Sequence, residues 1–162
     1  MMKSETRRRL ANGQLKKLGR LGSSSILAVR DALWDSDWKV RRNALRVLDH
    51  VPGEESLPRI VELLRDENEE VRKWAAHVLG CDRCKSGAGR EVDPVPFLID
   101  SARQDPSLAV RRSAVVCLAW NRPVDPRIHF FLQSLADSSD DPKILLHAQE
   151  GVKRHAVPAN AA

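Results

Sequence analysis

The stretch DSDWKVRRNALRVL, residues 35–48, recurs as DENEEVRKWAAHVL at 66–79 and as DPSLAVRRSAVVCL at 105–118. Aligned on Val40, Val71 and Val110, each copy has Asp five residues before the valine and Arg directly after it. Ala follows at four, with apolar residues at seven and eight. On a helix of about 3.6 residues per turn the valine, the Ala and the two later apolar residues fall at about 0°, 40°, 340° and 80°. That is one apolar stripe, as an amphipathic helix requires. The stripes read Val40, Ala44, Val47, Leu48; Val71, Ala75, Val78, Leu79; and Val110, Ala114, Cys117, Leu118.

A second periodic segment precedes each copy: SSSILAVRDALW at 23–34, SLPRIVELLRD at 56–66 and DPVPFLIDSARQD at 93–105. The repeating unit is therefore a helical hairpin. Ser or Asp stands before the apolar runs, often with Pro just inside, supplying a cap and a residue whose missing N–H is not needed in the first turn. No segment alternates with the period of two that a half-buried strand requires.

The anchoring valines lie 31 and 39 residues apart, a spacing typical of α-solenoids. With its Asp, Val-Arg, Ala and Leu positions, the chain resembles the HEAT-repeat family over roughly residues 24–155. The resemblance implies an all-α fold, a right-handed α-solenoid of about four HEAT-like helical hairpins. Residues 1–22 are expected to form a basic N-terminal arm or capping helix, and 23–155 the solenoid, with second helices near 37–50, 69–80, 107–120 and 141–154. A disordered tail is expected at 156–162. The fourth unit, DPRIHFFLQSLADSSD followed by DPKILLHAQEGVKRH, has lost the Val-Arg pair. A terminal repeat can afford polar residues such as Gln149 and Lys153, because it has no further neighbour to bury.

The formal charge is +5, but residues 1–20 hold seven basic residues against Glu5 alone, leaving 20 basic and 21 acidic residues in the remainder. The surplus thus belongs to the arm. That arm either supplies phosphate contacts to a nucleic acid or caps the first repeat through Leu10, Leu18 and Leu21. No run approaches the roughly 18 apolar residues of a membrane span, and the first residues lack the apolar stretch of a secretory signal. Three cysteines are too few and odd in number for a disulfide framework. These features predict a cytoplasmic protein with no membrane association.

The recurrent acid–base pairs, Asp35 or Asp37 with Arg41, Asp66 with Arg72 and Asp105 with Arg111, are not read as catalytic. The resemblance implies a structural ladder in which the Asp caps the second helix and the Arg reaches a loop Asp of the adjacent repeat. Opposite each core stripe stands a basic residue: Arg42, Lys73 and Arg112. Second helices line the concave face in HEAT-like solenoids, so the resemblance places these in a column with Arg46 and His77 beside them. Trp74 and Trp120 fall on the flank between stripe and column, either sealing the seam between repeats or anchoring a partner. Trp34 and Trp38 bracket the first turn and are expected to pack there.

The longer second spacing comes from CDRCKSGAGREV, residues 81–92. Within it, His77, Cys81 and Cys84 have the spacing of three metal ligands, and His50 is a possible fourth, whereas a closed zinc site needs four. The alternative is a surface loop with incidental cysteines. Cys117 falls on a core stripe. There is no Gly-rich phosphate loop, no His-Glu-x-x-His and no Gly-x-Ser-x-Gly, nor the His-Glu dipeptides of the HEAT-like di-iron hydroxylase. The sequence therefore predicts a non-enzymatic, cofactor-free scaffold for an acidic protein or peptide, with nucleic acid as the alternative partner. Its contact residues are Arg42, Arg46, Lys73, Trp74, His77, Arg112 and Trp120.

Overall fold

A computed structural model describes residues 2–14, 23–49, 53–80, 92–121 and 124–156. Among these there are nine α-helices and no strand: α1 Met2–Ala11, α2 Ser23–Asp31, α3 Trp38–Leu48, α4 Leu57–Glu62, α5 Glu69–Gly80, α6 Val95–Gln104, α7 Leu108–Ala119, α8 Pro126–Ser138 and α9 Pro142–Arg154. The chain divides into two compact units, Met1–Val78 and Leu79–Ala162. In the first, α1 packs on α2 and α3, and short 3-10 turns at Ala32–Trp34 and Leu63–Arg65 end the first helices. In the second, α6 pairs with α7 and α8 with α9, while α9 also packs on α7.

The repeated motif has a local physical reading. In the first copy Asp37, one of the two expected residues, caps the helix. The Asp five residues before each valine does not, contrary to the expectation for Asp66 and Asp105. Its carboxylate instead accepts the backbone N–H two residues on: Asp35 from Asp37 at 2.9 Å, Asp66 from Asn68 at 2.9 Å and Asp105 from Ser107 at 2.8 Å. That closes the turn entering the second helix. Capping falls to the later residue, as Asp37 accepts from the Lys39 N–H and Asn68 from the Glu70 N–H.

The Arg after each valine holds the same turn from the other side. Arg41 Nη1 donates to the carbonyls of Asp35 and Ser36 at 2.8 and 3.0 Å. Arg72 does so to Asp66 and Glu67, and Arg111 to Asp105 and Pro106. Arg41 then spends its remaining edge on Asp66 of the next hairpin, at 2.8 and 2.9 Å. One step earlier, Arg7 of α1 reaches Asp35 in the same two-pronged way, at 2.6 and 3.0 Å. Burial would raise the Asp35 carboxyl, but Arg7 and the Asp37 N–H outweigh it and hold it below its ordinary value. The ladder is thus made of bidentate guanidinium–carboxylate links, which suit Arg and would not suit Lys.

Every residue of the three stripes is buried, none more than 7% exposed. Leu10 is fully buried as expected of a capping helix, and its carbonyl accepts from Asn43 Nδ2 at 2.7 Å. Leu18 and Leu21 lie outside the described residues, as does 157–162 of the expected tail. In the fourth hairpin Gln149 and Lys153 are exposed, while Ile144, Ala148 and Gly151 are buried. Gly151 stands where α9 meets the end of α7: a Cβ there would lie 2.9 Å from both Cα and Cβ of Ala119. Contrary to expectation, Trp34 is 60% exposed rather than packed, with the Arg59 guanidinium over it, 5.2 Å from the ring centre. Its place at the end of the 3-10 turn points it away from the core that the preceding Leu33 fills.

Candidate functional site

Of the seven expected contact residues, Arg42, Arg46, Lys73, Trp74 and His77 lie in the first unit, and Arg112 and Trp120 in the second. Their surroundings differ greatly.

Arg112 is committed within its own unit. Its guanidinium grips Asp141, the cap of α9, through Nε at 3.1 and 3.2 Å and through a shorter Nη2 contact. With the Ile144 N–H on the same carboxylate, this pulls the Asp141 pKa down to about 2. The expected ladder is displaced by one residue here. At the position of Asp66 and Asp105 the fourth hairpin has Ser139, whose hydroxyl accepts the Asp141 N–H at 3.3 Å. A hydroxyl is no counter-ion, so the bridging arginine shifts from Arg111 to Arg112 and takes the cap instead. Trp120 is covered by Arg154 of α9, 3.6 Å from the ring centre. Both residues fasten the last hairpin to the one before it.

Lys73 pairs with Glu70 one turn earlier on α5. His77 stands edge-on to Trp74 at 5.3 Å, with Nε2 3.4 Å from the buried Asp49 carboxylate. Trp74 is half-buried against α3, where Arg46 lies over it at 5.3 Å, so it seals the seam between the first two hairpins.

Arg42 and Arg46 are the exception. The Arg42 guanidinium lies 5.2 Å over Trp38 and the Arg46 guanidinium over Trp74. Between them stands Asn43, whose amide orientation is set by its donation to the Leu10 carbonyl, leaving Oδ1 facing both. Arg42 donates to that oxygen from Nε and Nη2 at 3.3 Å each, and Arg46 from Nη1 at 3.5 Å. No carboxylate among the described residues pairs with either. The cause is plain in the sequence: α3 reads WKVRRNALRVL, without one acidic residue. Two cations, flattened on indole faces, share one neutral oxygen.

Cys81, Cys84 and His50 lie outside the described residues, within which no cluster of three or more His, Cys, Asp or Glu is placed to hold a metal ion. Cys117 is buried. Among the described residues no helix is long and apolar enough to cross a membrane. Sequence reasoning missed a groove of about 370 Å³ between α6 and α8, lined by Val95, Pro96, Ile99, Phe130 and Phe131, with Arg103 and Arg127 at its rim. Phe131 is buried in the hairpin while its neighbour Phe130 is 71% exposed. In the adjacent pair Phe130–Phe131 only one ring can face inward on a helix, which was the available signal.

A family model described as HEAT repeats matches residues 26–119, more than half of the chain. Among solved structures, the chain is similar to a designed armadillo repeat protein in complex with the peptide (KR)4. The identity is 18%, the TM-score 0.59, and the match covers 90% of this chain and 71% of that one. It is also similar to an engineered protein at 18% identity and TM-score 0.53, covering 88% of this chain and 72% of the other. No curated protein matches. The likeness to these structures establishes the α-solenoid fold class and, at such identity, nothing further.

Proposed function

We propose that this chain, which belongs to the HEAT-repeat family, is a non-enzymatic protein-binding module that takes an acidic segment of a partner on α3 and α5 of its first unit. The observation that carries this reading is the Arg42–Arg46 pair, two stacked guanidiniums without a carboxylate. Trp74, half-buried beneath the Arg46 guanidinium, and His77, edge-on to it, lie next to the pair. Solenoids of this class serve as protein-binding scaffolds, and the armadillo neighbour holds a peptide. That peptide is basic, whereas here the uncompensated charge is positive, so complementarity selects an acidic occupant.

Arg112, Lys73 and Trp120 are not part of this surface, because intramolecular partners already engage them. Among the described residues of the arm, Arg7 is engaged by Asp35, and Arg8 and Arg9 by Glu5, so these three do not favour the nucleic-acid reading. In the cytoplasm such a module would work as an adaptor. The test is titration of a glutamate octapeptide and of (KR)4 into the protein, followed by tryptophan fluorescence. The glutamate peptide is expected to bind, and Arg42→Ala with Arg46→Ala to weaken it at least tenfold at unchanged helical content. Binding of (KR)4 alone, or full retention in the double variant, overturns the reading.

A further inference from the structure

The donors of the clamp are more numerous than the acceptor they share. Each guanidinium has five N–H groups, and a carbonyl oxygen has two lone pairs. Three N–H nitrogens, two from Arg42 and one from Arg46, converge on Asn43 Oδ1 at 3.3, 3.3 and 3.5 Å, all longer than the usual 2.9–3.0 Å for such bonds. Those distances also bound the clamp. Two nitrogens at 3.3 and 3.5 Å from one oxygen stand at most 6.8 Å apart, the sum of the two. One small anion can therefore touch both arginines, whose guanidinium carbons lie over Trp38 and Trp74 at 5.2 and 5.3 Å from the ring centres.

The number of acceptors decides which anion. A carboxylate has two oxygens and a single charge, so two arginines can share it, as Arg8 and Arg9 share Glu5, only with one oxygen each and one charge between them. A phosphomonoester has three terminal oxygens and a charge of about −1.5 to −2 at neutral pH. It can present one edge to Arg42 and a remaining oxygen to Arg46. Lys39 stands beside Trp38 with its ammonium 5.8 Å from the ring centre, adding a third positive charge on the same helix.

Resting on the reading of this surface as an acidic-segment site, we propose that Arg42 and Arg46 form a phosphate clamp whose ligand is a phosphorylated serine or threonine side chain of the partner. Docking is then conditional on the partner's phosphorylation. A nucleic-acid backbone is the less suitable ligand. Each phosphodiester carries a single charge and a strand needs a track of cations, whereas this site is two arginines on one helix.

The experiment compares N-acetyl-phosphoserine-N-methylamide, its glutamate counterpart and a single-stranded deoxythymidine 12-mer at low salt, read by tryptophan fluorescence. The phosphoserine compound is expected to bind at least tenfold more tightly than the glutamate one. Arg42→Lys with Arg46→Lys, which keeps both charges but removes the planar forks, is expected to erase that preference without changing the melting temperature. Equal affinity for the two small compounds, with loss of both in the double alanine variant, overturns the phosphate assignment and leaves the acidic-segment reading standing. Binding of neither compound overturns both. Tighter binding of the 12-mer overturns the phosphopeptide assignment in favour of nucleic acid, as does a phosphoserine preference that survives the double lysine variant in favour of another site.

Discussion

Replacing Gly151 by Ala tests how closely the last two second helices are pressed together. In an ordinary exposed helix interior, Gly→Ala stabilises by about 1 kcal/mol, because alanine has the higher helix propensity. Here the added Cβ would meet Cα and Cβ of Ala119 at 2.9 Å, and Leu132 Cδ1 still closer. Carbon atoms in contact rest about 3.5–4.0 Å apart. Leu132 can change rotamer, but Ala119 Cα is backbone at the end of α7 and moves only with its helix. Relief therefore means parting α9 from α7 by at least about 0.6 Å, the shortfall from 3.5 Å, and a gap of that order forfeits a quarter or more of each contact's attraction. Overpacking of this kind costs about 1–3 kcal/mol. Set against the propensity gain, the expected net is a loss of up to about 2 kcal/mol, or a fall of up to roughly 8 °C in melting temperature for a chain of this size. Thermal and urea unfolding followed by circular dichroism measure it, with the exposed Gln149→Ala as a control that should be neutral or slightly stabilising. A Gly151→Ala midpoint raised above that of the parent, as the propensity gain alone would give, would refute the close approach.

Four further outcomes follow from other contacts. Arg41→Ala strips the counter-ion from Asp66 in a pair whose side chains are only 8% and 6% exposed, so it should cost about 3–5 kcal/mol. Glu5→Ala, at the exposed pairs with Arg8 and Arg9, should leave the midpoint of the same unfolding assay nearly unchanged. Arg112→Ala should let the Asp141 pKa climb from about 2 toward the ordinary value of about 3.9, as read by carboxyl carbon NMR. The stabilisation that this depressed pKa supplies, present above the unfolded value and lost as pH falls through about 2, should shrink with it. His155 is buried, its Nδ1 accepting the Asp125 N–H at 3.2 Å while Nε2–H donates to the Leu118 carbonyl at 3.1 Å. Burial lowers its pKa, outweighing the Leu118 carbonyl and the Asp125 charge. A proton added to Nδ1 would face an N–H, so the neutral ring is the folded form. Its contribution should be complete above about pH 6.5 and decline as pH falls below that value toward the depressed folded pKa. A His155→Asn variant should start less stable at pH 7.5 and lose less on acidification; an equal loss in both would refute the assignment.

The sequence by itself determined the helical hairpins and their inward faces, because these depend on periodicity along the chain. A stripe at offsets 0, 4, 7 and 8 points to one side of a helix whatever lies beyond it. Thus Val40, Val71, Val110 and their companions are all buried, and the caps at Asp37 and Asn68 stand within two residues of the N–H groups they serve. What the tertiary structure decided is how the charged residues pair, since a long guanidinium chooses among carboxylates that are close in space and far apart in sequence. Arg42, Lys73 and Arg112 are equivalent by register, yet Lys73 pairs one turn away, Arg112 is captured by Asp141 from 29 residues off, and Arg42 is left with a neutral amide. Period alone treats them as one column. The Ser139 in place of an aspartate, and an α3 helix without acids, separate the arginines that hold the fold together from Arg42 and Arg46, which share a neutral amide oxygen and pair with no carboxylate among the described residues.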